Sequence, residues 1–230
     1  MHKNIKVIAF DADDTLWVNE TYFRDAEIEF AKLLSHFETV NTIDQELFKT
    51  EIKNLEFYGY GIKGFVLSMI ECALELSNYK INPKSLQAIL NIGKEMLNKP
   101  IELLPEIEKV LKTLQPKYKL ILVTKGDLLD QERKLKKSNL LHYFHHIEVV
   151  TDKKTTDYQK IIKHLDIHSS EFLMIGNSLK SDILPVLEIG AAAIHVPFHT
   201  TWIHEEVSKI ETNDKNYHTV LNIKEVLTLV

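Results

Sequence analysis

The sequence predicts an α/β fold: a doubly wound, Rossmann-like parallel sheet with an all-helical cap domain inserted after its first strand. Three observations predict it. A short apolar run over residues 6–10 ends abruptly in acids; residues 19–98 carry helical periodicity without a strand pattern; and after Pro100 helical and strand patterns alternate. Alternation of that kind implies parallel strands covered by helices on both faces.

Residues 6–10 suit a strand buried on both faces, because the run is too short for a helix and lacks polar alternation. In the insertion, Phe23, Ala26, Phe30, Leu33 and Phe37 step by three and four and form one apolar stripe. Thr42 and Gln45 have capping-box spacing and are expected to open a second helix through Leu47, Ile52 and Leu55. Phe65, Val66, Met69, Ile70 and Ala73 mark a third, and Asn82-Pro83 the start of a fourth. Further strands are expected over residues 119–123, 147–150, 172–175 and 192–196. The division is therefore 1–18 plus 99–230 as the Rossmann-like core and 19–98 as the cap. An insertion of about 80 residues is too long for a plain loop and should fold on its own.

Charge and composition narrow the partners. Lys plus Arg total 28 against 33 acids, a formal charge of −5, where a surface for nucleic acid would lean basic. The basic run at Arg133, Lys134, Lys136 and Lys137 reads as a solvated helix face. The apolar run at 5–10 is too short to span a bilayer, so no membrane partner is expected. The single Cys72 shares a helical face with Met69, Ala73 and Leu76 and reads as core packing; with no disulfide possible within the chain, a cytoplasmic location is the simplest expectation.

In open parallel sheets, ligands bind beyond the carboxyl ends of the strands. The chemistry-bearing residues follow the expected strands one by one: Asp11, Asp13, Asp14 and Thr15, then Thr124-Lys125-Gly126, then Asp152-Lys153, then Gly176-Asn177-Ser178. Three carboxylates within four positions repel one another unless a cation joins them, and hard oxygen ligands favour Mg²⁺.

These motifs resemble those of the haloacid dehalogenase superfamily. Asp11-Ala12-Asp13-Asp14-Thr15 is similar to its first motif, an apolar strand followed by Asp-x-Asp-x-Thr/Val. Leu120-Ile121-Leu122-Val123-Thr124 is similar to its second, Lys153 to the lysine of its third, and Gly176-Asn177 through Asp182 to its fourth. The resemblance implies a phosphate monoester hydrolase acting on a small phosphorylated metabolite. Asp11 would be the nucleophile that becomes an aspartyl-phosphate, and Asp13 the acid and base. Thr124 and Lys153 would bind the phosphoryl group. Asp11, the Asp13 backbone carbonyl, Asp182 and Asn177 would hold Mg²⁺, Asn177 standing where an Asp is commoner in the family. Dehalogenases of the family lack the second aspartate of the first motif, since a halide leaves without a proton. Spacing alone leaves Lys154 as a competitor for the role of Lys153. A mutase of the same fold and a non-catalytic phospho-acceptor are the alternative functions.

Two further groups attract a reading. Tyr58, Tyr60 and Lys63 lie in a stretch with three glycines between two expected helices, which suits a substrate-specificity loop. The 11 histidines include His195, His199 and His204, which lack tight ligand spacing and read as surface or rim positions. His142, His145 and His146 read as a solvated turn ahead of the third strand.

Overall fold

The computed structural model describes residues 4–207 and 214–230. The chain runs β1 (Val7–Phe10), α1 (Glu20–Leu34), α2 (Val40–Tyr58), α3 (Ile62–Leu76), α4 (Pro83–Asn98), α5 (Ile107–Leu114), β2 (Lys119–Lys125), α6 (Leu128–Lys137), β3 (His146–Val150), α7 (Thr155–His164), β4 (Phe172–Gly176), α8 (Leu184–Glu188), β5 (Ala192–His195) and β6 (Tyr217–Thr219). It divides into two compact units, one of residues 1–20, 101–125 and 131–230, the other of residues 21–100 and 126–130.

The first unit is the α/β one. Its six strands pair in the order β3-β2-β1-β4-β5-β6, and every pairing is parallel. Strand residues alternate between two cores, as the period of two requires. Ile8, Phe10, Leu120, Leu122, Leu173 and Ile175 pack with Val110, Leu111 and Leu114 of α5 on one face. Val7, Ala9, Ile121, Val123, Phe172 and Met174 pack with Tyr158, Ile161 and Ile162 of α7 on the other. The chain leaves β1 toward β2 and β3, then returns to the far side of β1 as β4, so the strand order reverses between β1 and β4. That reversal opens a crevice at the carboxyl ends, where the acids of the first motif lie.

Three local readings are corrected. α2 begins at Val40 rather than after Thr42: Thr39 is its cap, and its hydroxyl accepts from the Thr42 N–H at 3.3 Å. His146 is the first residue of β3, paired with Ile121, instead of part of a turn. β6 has no counterpart among the expected strands; three residues on a sheet edge carry too little pattern to register.

The helical unit has its own core. Phe30, Leu34, Ile43, Leu47, Phe65, Met69, Cys72 and Ile89 are buried together, and burial pushes the Cys72 thiol up to about 12, so it is an inert core residue. Asn82 caps α4 by accepting from Ser85 N–H at 3.0 Å, with Pro83 at the first helical position. No helix among the described residues is long and apolar enough to cross a membrane.

Gly93 sets the approach of α4 to α3, since a Cβ there would lie 2.3 Å from Val66 Cγ2. Alanine is worth about 1 kcal/mol over glycine in a helix interior, but a β-branched neighbour has little rotamer freedom to give way. Gly93→Ala is therefore expected to lower stability by about 1–3 kcal/mol in urea unfolding. Adding Val66→Ala should recover part of the loss; a stabilising Gly93→Ala would show that the helices separate at no cost.

Candidate active site

The α/β unit gathers its candidate site side chains from four strand ends. Asp11 follows β1 directly and is tied to the next strand by its N–H, which donates to Ile175 O at 2.9 Å. Its carboxylate is buried and divides its two oxygens between different partners. Lys153 Nζ donates to Oδ1 at 2.5 Å, and Thr15 Oγ1 donates to Oδ2 at 2.9 Å. Lys153 also donates to Asp182 Oδ1 at 2.7 Å, so one buried ammonium joins two buried carboxylates. Lys154 lies outside this cluster: its side chain is 72% exposed and pairs with Asp152 at 3.1 Å.

Asp182 is aimed by unusual backbone. Leu179–Ile183 forms a π-helical turn ahead of α8, an insertion often found at functional sites. The Ser178 N–H donates to Asp182 Oδ2 at 3.0 Å, and Ser178 Oγ accepts from Ser181 N–H at 3.0 Å. A Cβ on residue 176 would lie 2.3 Å from Asp182 Oδ2, so only glycine leaves room for the carboxylate. Tyr158 OH fixes the same turn by donating to Ser181 O at 2.9 Å.

Asn177 closes the cluster beside Asp11. With its amide nitrogen turned inward it donates to Asp11 Oδ2, Thr15 Oγ1 and Asp13 O, each at 3.2 Å; with its oxygen turned inward it accepts from Thr15 Oγ1 at 3.2 Å. His195 Nε2 lies 2.9 Å from Asn177 O and holds this loop from behind.

The donors suit a hard divalent cation. The Asp11 carboxylate, the Asp13 carbonyl and the Asn177 amide converge within hydrogen-bond distance, and Asp182 joins through Lys153. Burial raises the Asp11 carboxyl to about 7, with Lys153 opposing and Asp182 adding repulsion. Lys153 is itself held above its ordinary value by the two carboxylates, which outweigh its burial. One lysine thus leaves the acids undercompensated, and a second positive charge would ionise Asp11 fully. Oxygen donors of this kind fit Mg²⁺.

Asp13 sends its carboxylate elsewhere. Trp17 Nε1 donates to Oδ1 at 2.7 Å, Gln131 Nε2 to Oδ2 at 2.8 Å, and Lys134 Nζ to both oxygens at 2.8 and 3.0 Å. Burial pushes its carboxyl up, but Lys134, Gln131 and Trp17 together hold it below the ordinary value. This corrects the reading of the basic run: Lys134 is buried, pairs with Asp13 and also donates to Asn19 Oδ1 at 2.8 Å. The third acid, Asp14, caps the next segment, accepting from Asn19 and Glu20 N–H at 2.9–3.1 Å. Its φ of 60° reverses the chain after Asp13, a conformation aspartate tolerates better than most.

Thr124 is buried at the end of β2. Next to it lies a network absent from the sequence reading. Lys125 Nζ donates to Glu205 Oε1 at 2.5 Å and to Ser181 Oγ at 2.9 Å, while Ser178 and Ser181 hydroxyls donate to Glu205 Oε2 at 2.6 Å each. Burial would raise the Glu205 carboxyl, but Lys125 and the hydroxyls bring it to about 2. Lys125 had a signal, its place at a strand's carboxyl end; Glu205, in a segment without periodicity, had none.

Tyr58 and Lys63 are engaged within the helical unit. Tyr58 OH donates to Glu71 Oε1 at 2.7 Å, and Lys63 Nζ pairs with Asp127 at 2.9 Å. This corrects the expected loop: Tyr58 ends α2 and Lys63 lies in α3, so only Tyr60 falls in the three-residue connection 59–61 between the helices. Of the histidines, His204 accepts from Lys180 Nζ at 3.2 Å, and the His199 ring lies tilted beside that of Phe198, with centroids 4.1 Å apart.

The model of the haloacid dehalogenase-like hydrolase family matches residues 5–190. A haloacid dehalogenase-like family hydrolase from Xanthomonas campestris is 34% identical, with a TM-score of 0.87 over 98% of this chain and 94% of that one. Two more distant structures share the fold. A putative hydrolase of the family from Bacillus subtilis, YfnB, bound to magnesium, is 16% identical, with a TM-score of 0.66 over 98% of each chain. A 2-haloacid dehalogenase from Pseudomonas syringae is 15% identical, with a TM-score of 0.66 over 98% of this chain and 97% of that one. Among curated proteins, none matches the chain. Four motifs on four consecutive strand ends, the matched family model and the Xanthomonas relative together make this chain a member of the haloacid dehalogenase-like hydrolase family.

Proposed function

We propose that the chain is a Mg²⁺-dependent phosphate monoester hydrolase that acts on a small phosphorylated metabolite through an aspartyl-phosphate on Asp11. The observation that carries the reading is the pair Asp11 and Asp13. One carboxylate sits against Lys153 at the strand crossover, while the other is held apart by its own donors two residues later. A dehalogenase needs the first acid alone, because a halide leaves without taking a proton. Ester cleavage needs both.

An Asp11 oxygen attacks phosphorus, and the bond from phosphorus to the ester oxygen breaks. Asp13 gives the leaving oxygen its proton. Water then attacks the aspartyl-phosphate, Asp13 takes a proton from it, and the bond from phosphorus to Asp11 breaks to release inorganic phosphate. Lys134 favours the ionised form of Asp13, which suits the second step. In the first step Asp13 must carry a proton against that charge, so its help counts most where the leaving oxygen is poor. Thr124 and Lys153 bind the phosphoryl oxygens, where charge accumulates in the transition state. Held by Asp11, the Asp13 carbonyl, Asn177 and Asp182, Mg²⁺ would supply Lewis-acid charge to the phosphoryl group. An insertion of about 80 residues tethered just after the nucleophile favours compact substrates, and Tyr58, Tyr60 and Lys63 are its specificity stretch in this reading.

Assayed with Mg²⁺, the protein should release phosphate from phosphorylated metabolites and no halide from 2-haloacids, with EDTA stopping turnover and added Mg²⁺ restoring it. Asp11→Asn should fall below about a hundredth of wild-type activity with an unchanged circular dichroism spectrum. Halide release in place of phosphate release would make it a dehalogenase.

Asp13→Ala should slow alkyl phosphates far more than activated aryl phosphates, which need little protonation. An equal loss on the two classes would assign Asp13 to metal binding or structure.

Lys153→Ala should lower kcat/KM by about a hundredfold or more, whereas Lys154→Ala should stay within about twofold of wild type, as an exposed pair predicts. Assays run below both melting temperatures separate this from unfolding; the opposite ranking would move the phosphate contact to Lys154.

A further inference from the structure

Away from the acid cluster, the open edge of the sheet carries a second constellation of ligand-type groups. His146 and Glu148 alternate on β3 and so share one face. His164 ends α7. One ligand atom from each lies within 4.8 Å of the other two. His146 Nε2 and Glu148 Oε1 are 2.6 Å apart, and the His146 and His164 rings stack at 5.4 Å with 22° between their planes. We infer that His146, Glu148 and His164 form a transition-metal site of the zinc type.

An ordinary histidine–glutamate hydrogen bond would account for one of these contacts. It leaves a second imidazole, making no hydrogen bond among the described residues, stacked on the first. Two imidazoles with one carboxylate are a donor set that Zn²⁺ takes with three protein ligands and a fourth position open to water. Mg²⁺ prefers all-oxygen surroundings, so the choice of metal differs from that at Asp11. Room for the fourth ligand exists: a pocket of about 370 Å³ beside the site is lined by Glu148, His164, Thr151, Asp157 and Lys160. The pocket's one lysine is already paired with Asp157 at 2.9 Å.

The position gives the metal a mechanical consequence. His146 starts β3 and His164 ends α7, so coordination ties together the two ends of one strand–loop–helix segment, and Lys153 lies in its loop. His146 is at the opposite end of β3 from that loop, about 13 Å along the strand at 3.3 Å per residue, and Glu148 lies midway. Zinc here would clasp the segment that carries Lys153 without entering the acid cluster, and the inference stands whether or not the chain hydrolyses phosphate esters.

The test is a Zn²⁺ titration of the full chain against a chromophoric chelator, with millimolar Mg²⁺ present to occupy the acids, together with melting curves. A single tight Zn²⁺ per chain is expected, with a rise in melting temperature. Exposed His164→Ala, and separately His146→Ala, should each weaken Zn²⁺ by at least about tenfold, the scale seen when a metal site loses a supporting group, and remove the thermal gain. His199→Ala and Asp182→Asn should bind Zn²⁺ like the wild type. Co²⁺ should give the intense visible bands of a tetrahedral complex in the wild type and lose them in His164→Ala. Wild-type affinity in both histidine variants, a loss confined to Asp182→Asn, or no binding above the chelator would each overturn the site.

Discussion

A single buried ammonium decides whether the candidate site can exist. Lys153 stands between Asp11 and Asp182, two carboxylates that are almost wholly removed from water. Charges so placed cost several kcal/mol each to desolvate, and removing one partner of such an arrangement typically costs about 3–5 kcal/mol. Its charge opposes the burial that would leave Asp11 a neutral acid and a poor nucleophile. The same ammonium that permits the fold to bury these acids also favours the charged form of Asp11, the form that the proposed nucleophile needs.

Everything around the trio serves to bring its members from distant parts of the chain. Parallel pairing of β1 with β4 sets Phe10 against Ile175, so the residues after them leave the sheet side by side. The π-helical turn then folds Asp182 back over Gly176, where a side chain would block it. Asp13 belongs to a separate arrangement, with Trp17, Gln131 and Lys134 as donors. Two carboxylates two residues apart thus experience opposite environments, one raised by burial and the other lowered by its partners. That separation of environments follows from the turn at Asp14, which sends the chain away immediately after Asp13.

The sheet was legible in the sequence because strands buried on both faces are written as unbroken apolar runs, and the acids and the glycine stand at their ends. β6 was not, being too short to carry a pattern. The start of helix α2 is ambiguous in sequence because Thr39 and Thr42 are equally good caps on paper, and only geometry shows whose hydroxyl meets the orphan N–H. Lys134 escapes a reading of the sequence for a related reason. Four basic residues on a charged helix look alike in sequence, yet one of them turns inward to Asp13 while Lys136 stays 69% exposed. Glu205 was invisible, since its partners Lys125, Ser178 and Ser181 are 24 or more positions away and its own segment has no period.

The two margins of the sheet have a bearing on how the protein behaves at high concentration. A parallel sheet that is not closed into a barrel ends in strands whose outer backbone groups can template pairing with another molecule. Here β6 is only three residues long, so a neighbour finds almost no ladder to extend. On the other side β3 carries His146 and Glu148 at alternate positions, which places a charge in the middle of a five-residue edge. Short length at one margin and an acid at the other are devices by which open sheets avoid joining edge to edge, and they oppose fibrillar self-association.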